Sequence, residues 1–159
     1  MWVRAGVPFE KLDCVIDPMG RYVFVRGKLD GRVVVLGSVY APNTEQVLFH
    51  QELSRVLAPW NEHPWLLGGD FNAVLDTDLD RSFPPLSRTV AGGLAAGLRE
   101  WLGQWRLRDI WRSRHPTDRE YTHYSAVHSL HVRIDRFVAA DEVLPHIVSV
   151  EHLGRTHSD

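Results

Sequence analysis

One cysteine, Cys14, stands among the 159 residues. An internal disulfide is thereby excluded, which suits a reducing compartment. Cys14 lies in a strand-like run, so a buried, inert thiol is expected there. Long apolar stretches are missing too. None reaches the length that spans a bilayer, and Met1 to Glu10 lacks the extended apolar segment of a signal peptide. The expectation is an intracellular protein of the nucleus or cytoplasm, not secreted and without a membrane partner. Neither sign of charge dominates, with a net charge of -2. Nucleic-acid binding would therefore have to rest on a local patch and weaken steeply with salt. No repeat, low-complexity tract or linker divides the chain. At 44% hydrophobic and 24% charged residues, residues 1–159 read as one ordinary domain with an adequate core.

What is present begins with strands. Leu12 to Ile16, Tyr22 to Leu29 and Arg32 to Tyr40 read as a meander, with Asp30-Gly31 as a two-residue hairpin signal. A helix follows, carrying Phe49, Leu53, Val56, Leu57 and Trp60 as an apolar stripe. Asn43 and Gln46 resemble a capping box at its start. Thr89 is placed to cap a second helix whose apolar face holds Leu94, Leu98, Trp101, Leu102 and Trp105, both tryptophans reading as core. Tyr121 to Ser125 and Val132 to Ala139 read as another strand pair. Glu142 to Leu144 reads as a short turn stopped by Pro145, and His146 to Leu153 as a final strand. Strand, helix and strand in succession favour an α/β sheet domain.

The chain is organised around Pro64-Trp65-Leu66-Leu67-Gly68-Gly69-Asp70-Phe71-Asn72. A short apolar run predicts a buried strand, and two glycines then allow a tight turn or a close approach. Spaced by two on an extended chain, Asp70 and Asn72 would share a face while Phe71 points into the core. A carboxylate able to take a proton from water, beside a neutral amide donor, suits hydrolysis of a phosphate ester. An Asx-turn closing the strand is the alternative, with both residues serving only local backbone groups.

Three further stretches carry polar residues in number. Asp76, Asp78 and Asp80 open like a calcium loop. Arg81 and Ser87 occupy the positions where such a loop needs glycine and glutamate, so a solvated loop is expected. Arg106 to Pro116 is locally basic. Arg112 and Arg114 could track phosphates along a DNA groove, or face water and pair with Asp109, Asp118 and Glu120. Of the nine histidines, His123, His128 and His131 match no zinc spacing, and loop positions are expected for them.

Tyr40 in "VYAPN", "GGDFNAVLD" with Asp70 and Asn72, "YTHYSA" with Thr122, "RIDRFV" with Asp135, and "THSD" with Ser158 and Asp159 occur in that order. Together with "DPMGRYVFVRGKL" and "LRDIWRSRHP", they resemble the endonuclease/exonuclease/phosphatase superfamily, and most of all the endonuclease domain of LINE-type retrotransposons. The resemblance covers essentially the whole chain. It implies part of a two-sheet α/β sandwich, with helices outside two mixed sheets, and divalent-metal-dependent hydrolysis of DNA phosphodiesters. By this resemblance Asp70 orients and deprotonates water, Asn72 and Tyr40 hold the phosphate, and Thr122 lies at the DNA-contacting edge. Asp135 would pair with a histidine, and Asp159 would help hold Mg²⁺, or Mn²⁺ in its place. Ser158, Arg112 and Arg114 are further candidate substrate contacts.

Two departures accompany the match. In the family a histidine follows the Ser-Asp pair, and an asparagine and a metal-binding glutamate come from a segment that would precede Trp2. The expectation is a partial domain lacking its first strands and its final catalytic histidine, weak or inactive as a nuclease by itself. Uncovered sheet edges would then promote self-association. Double-stranded DNA is the implied partner, with a reverse transcriptase downstream in a parent element. A non-catalytic, DNA-binding retroelement remnant and a phosphatase of the same superfamily remain as rivals.

Overall fold

The computed structural model describes residues 4–83, 88–126 and 129–152, with the backbone alone for 88–93. Three strands come first, β1 (Phe9–Ile16), β2 (Tyr22–Leu29) and β3 (Arg32–Tyr40). They pair antiparallel in sequence order, as the meander predicts. Asp30 and Gly31 both have positive φ, 50° and 79°. That is the hairpin geometry matching the twist of the strands it joins. Helix α1 (Gln46–Leu57) runs into a 3-10 turn at Ala58–Trp60, and β4 (Trp65–Asp70) follows. Then come α2 (Arg88–Gln104), β5 (Leu107–Asp109), α3 (Ile110–Arg114), β6 (His123–Ser125), β7 (Leu130–Val132) and β8 (Asp135–Ala140).

Six strands form one mixed sheet in the order β1-β2-β3-β4-β8-β5, and β6 with β7 makes a second sheet. β4 lies parallel to β3 because α1 carries the chain back across the sheet, while β8 joins β4 antiparallel. On one face Phe24, Val35, Leu67 and Val138 pack beneath Leu53 and Leu57 of α1 and Leu98 and Trp101 of α2. The indole N–H groups of Trp101 and Trp105 both donate to the Ser54 hydroxyl, at 3.1 and 2.9 Å. Buried rings thus keep their one polar atom satisfied. No helix among the described residues is long and apolar enough to cross a membrane.

Alternation along the strands assigns the other face. Val39, Gly69 and Arg136 share parity with the buried set, so Tyr40, Asp70 and Asp135 project from the opposite side. Phe137, on that side too, is 56% exposed.

Several expected boundaries shift for physical reasons. Asn43 does not cap α1. Glu45 precedes the helix in a left-handed conformation with no side-chain cap, and Gln46 is buried on other duties. α2 starts at Arg88, so Thr89 lies within it. The expected strand from Val132 to Ala139 is split at Arg133–Ile134, its two parts serving different sheets. Pro145 sits inside a 3-10 turn, Leu144–His146, instead of stopping an earlier one; proline is tolerated where a helical turn has no N–H to satisfy. No strand forms over 147–152, and Val148 is 92% exposed. Cys14 is half-buried instead of fully enclosed.

Candidate active site

Tyr40, Asp70 and Asp135 come from three adjacent strands and lie side by side. Tyr40 is the register partner of Asp70 across the parallel β3–β4 ladder, and Asp70 is the partner of Asp135 across β4–β8. Neighbours at one register on one face of a sheet have Cβ atoms about 5 Å apart. A phenol and two carboxylates therefore gather at the C-terminal end of β3 and β4, where the chain leaves the sheet.

The two glycines before Asp70 each have a steric cause. A Cβ on Gly68 would meet the Phe137 ring at 2.4 Å. One on Gly69 would meet the Val39 carbonyl oxygen at 1.8 Å, and its φ of +150° is one that other residues rarely adopt. Past Asp70 the chain does not stay extended. Asn72 takes a φ of 47°, its N–H donates to Asp70 Oδ1 at 2.8 Å, and its amide nitrogen donates to the Ala41 carbonyl at 2.7 Å. The Asx-turn is thus real, and it corrects the extended geometry expected for Asn72. It closes the strand while one carboxylate oxygen accepts a backbone N–H. Phe71 is fully buried, as expected. Burial pushes the Asp70 carboxyl above its ordinary range, and the nearby Asp135 charge pushes it further. The Asn72 N–H, His123 and the Arg136 cation oppose that rise.

Behind the turn lie supports that periodicity does not reveal. The Gln46 side-chain amide donates to the carbonyls of Pro42, Phe71 and Asn72 at 2.9, 3.0 and 3.2 Å. On the other flank Arg136, 4% exposed, donates to the Ala73 carbonyl at 2.6 Å, to Ile134 at 3.2 Å and to Arg133 at 2.7 Å. Asp80 is fully buried, which overturns the solvated loop expected for 76–80. Its carboxylate accepts from Arg112 at 2.6 Å, from Arg133 at 3.0 and 3.1 Å and from Arg136 at 3.3 Å. Burial alone would raise the Asp80 carboxyl, but those guanidiniums hold it below its ordinary value. Asp109 completes the cluster, 2.8 Å from Arg133 Nη1 and 3.2 Å from Arg136 Nε. Its Oδ1 caps α3 through the Arg112 N–H at 3.0 Å.

Arg112 is therefore corrected as a DNA-rim candidate. Its guanidinium is turned onto Asp80 and onto the carbonyls of His115 and Asp118, both at 2.9 Å. Arg114 stays exposed and donates to the Ile147 carbonyl. The Thr122 hydroxyl accepts the N–H groups of Ile134 and Asp135 at 3.2 and 3.1 Å, so it braces the start of β8. Thr122 and Asp135 also line an open cavity of about 790 Å³, walled by His123, His131, His152, Tyr121 and Phe137. Ser158, Asp159 and His128 lie outside the described residues. Asp80, Arg133, Arg136 and Gln46 were missed by sequence reasoning. The pair of arginines flanking Ile134-Asp135 was the one available signal.

A family described as Endonuclease/Exonuclease/phosphatase matches this sequence over residues 1–159. The uncharacterized 149 kDa protein of transposon TX1 from Xenopus laevis is 33% identical over 131 residues, 79% of this chain and 10% of that protein. Among solved structures, an AP endonuclease from Leishmania major superposes with a TM-score of 0.72 at 17% identity, over 91% of this chain and 56% of that one. A 3′ phosphatase from Neisseria, bound to a product DNA hairpin, gives 0.65 at 20% identity over 85% and 60%. The endonuclease domain of TRAS1, a telomere-specific non-LTR retrotransposon, gives 0.58 at 16% identity over 84% and 57%. At those identities the structural matches establish the fold. The chain spans a tenth of the transposon protein and 56% to 60% of the solved chains.

Proposed function

Because the chain belongs to the endonuclease/exonuclease/phosphatase family, we propose that the Tyr40–Asp70–Asp135 edge hydrolyses phosphodiester bonds of double-stranded DNA, as a retroelement-type nicking endonuclease. One observation carries the reading: three strand ends bring a phenol and two carboxylates to one register on one open face. Asp70 accepts the proton of the attacking water through the carboxylate oxygen that the Asn72 N–H leaves free. As the new O–P bond forms, the bond to the leaving sugar oxygen breaks on the opposite side, and that oxygen takes up a proton. The exposed Tyr40 hydroxyl and the second amide hydrogen of Asn72 donate to the phosphate oxygens, where negative charge grows. Asp135 would pair with the histidine that in the family follows the Ser-Asp pair, and Thr122 fixes Asp135 through its backbone N–H.

The neighbouring carboxylates of Asp70 and Asp135 form a donor set of hard oxygens, which suits Mg²⁺ or Mn²⁺. Among the described residues no group of three or more ligating side chains gathers. Asp159 is proposed as the further oxygen ligand, with Ser158 beside it at the substrate. Bound there, such an ion supplies charge neutralisation at the phosphate. The reading assigns residues 1–159 to one domain that works where DNA is, in the nucleus or cytoplasm, and within a parent element that carries a reverse transcriptase.

The test is conversion of supercoiled plasmid to open circle in Mg²⁺. Slow nicking is expected, reduced at least about a hundred-fold in Asp70→Ala, the scale on which a general base contributes. Nicking that Asp70→Ala leaves unchanged sinks the reading. DNA binding without cleavage replaces it with a binding module, and release of phosphate from a 3′-phosphorylated oligonucleotide without nicking replaces it with a phosphatase.

A further inference from the structure

We propose that Arg136 is a positioning residue that straps the Asp70 turn to the start of β8 and so sets the placement of Asp70 against Asp135. Its guanidinium lies on the buried face of the sheet, behind the two carboxylates, and touches neither. Nη1 donates to the Ala73 carbonyl, just beyond the Asp70–Asn72 turn, and to the Ile134 carbonyl, just before Asp135. Nη2 donates to the Arg133 carbonyl and to Asp80. The Ile134 carbonyl also accepts the Phe71 N–H at 3.0 Å, so side chain and backbone close the same gap.

A planar fork fixed at four oxygens holds both loops in one geometry. Lysine, with a single point of charge on a flexible stem, cannot reproduce that. Asp80 aims the fork from behind, and Asp80 is itself held by Arg112 and Arg133. The acidic loop, which has no place at the reacting phosphate, thereby gains a function.

The catalytic consequence rests on the hydrolase reading, but the strap is tested without DNA. The variants are Arg136→Lys and Arg136→Met, with Leu53→Ala as a destabilised control from the apolar core. Amide exchange is followed at Phe71 relative to the strand-centre amides around Leu67. Arg136→Lys is expected to speed Phe71 exchange relative to the strand centre by at least about ten-fold, through local opening that leaves the sheet intact. The control should accelerate both together. Arg136→Met, losing the fork altogether, should speed Phe71 exchange at least as much. In nicking of supercoiled plasmid, kcat should fall at least about ten-fold with KM within about two-fold in the lysine variant. An unchanged exchange ratio in folded Arg136→Lys overturns the strap, and failure of both variants to fold reduces Arg136 to a purely structural role. If the hydrolase reading alone fails, the exchange result stands while plasmid nicking is indifferent to Asp70→Ala.

Discussion

Two parts of the sheet's covered face are enclosed by opposite means. Under α1 and α2 the sheet is covered chiefly by Leu53, Leu57, Leu98 and Trp101, with Gln46 and His50 the buried polar side chains of α1. Under α3 and the 76–80 loop it is covered by Asp80, Arg133, Arg136 and Arg112, with Asp109 beside them. Apolar contacts are non-directional and tolerate volume-conserving exchange. Buried ion pairs give little net stability over an apolar replacement, yet they demand one geometry. The ionic half is the one adjoining Asp70 and Asp135. Burial on the apolar side builds the platform, and burial on the ionic side aims what stands on it.

The largest difference should appear on removing the hub of each half. Asp80→Ala leaves the buried Arg133 and Arg136 with Asp109 as their remaining carboxylate partner and is expected to cost ~3–5 kcal/mol in denaturant unfolding. Leu53→Ala opens a cavity and should cost ~2–5 kcal/mol. The sharper contrast lies in replacement: Leu53→Met should be nearly silent, while Asp80→Asn should remain strongly destabilising because its neutral amide cannot balance the arginines. Equal tolerance at the two positions would break the comparison.

Acid should dismantle the halves in separate windows. His50 is 3% exposed, stacked on Trp101 with ring centroids 5.5 Å apart, and neither ring nitrogen has a partner among the described residues. Burial lowers its pKa from 6.5 to about 4. The unfolded chain therefore binds a proton that the folded chain refuses, and stability falls as pH drops from 6.5 to about 4, by roughly 3 kcal/mol from this group. Asp80 is held below its ordinary 3.8, so its contribution is complete above that value and is lost only as pH falls through the lower folded value. His50→Phe should abolish the first slope, at little cost because an unpartnered imidazole gives way to a ring of similar shape. The slope below 3.8 should survive that change. Persistence of the upper slope in His50→Phe would assign it elsewhere.

The same division explains what could be read from the sequence. The meander, the crossover helix and the strand before Asp70 announce themselves through period and turn chemistry, and Phe49, Leu53 and Trp101 fall where the apolar stripe puts them. Tyr40, Asp70 and Asp135 were legible as strand-end residues within motifs. The ionic half was not, because a buried aspartate looks like a solvated one until its partners are known. Asp76, Asp78 and Asp80 read as one loop, although only Asp80 meets the arginines. Gln46 looked like half of a capping box because spacing along the chain says nothing about the turn 25 residues later that it supports. The break at Arg133–Ile134 was hidden for a related reason: both arginines point inward, and period-two alternation carries no signal for a buried charge.

The smallest expected effect separates two neighbours that the sequence presents as equals. Arg112 and Arg114 lie on one short helix, but one belongs to the ionic core and the other does not. Arg112→Ala removes a partner of a fully buried carboxylate and should lower stability and, through the Asp80–Arg136 chain, kcat. Arg114→Ala gives up an exposed contact to a carbonyl, and its unfolding free energy should change by no more than ~0.5 kcal/mol. If Arg114 tracks DNA phosphates, the reading its basic stretch allows, binding in Arg114→Ala should weaken alike across sequences, and the dependence of log K on log salt should shrink by about one unit. Titrations of a labelled duplex at three salt concentrations measure that slope directly. A slope identical to wild type would remove Arg114 from the interface, leaving this helix with structural work alone.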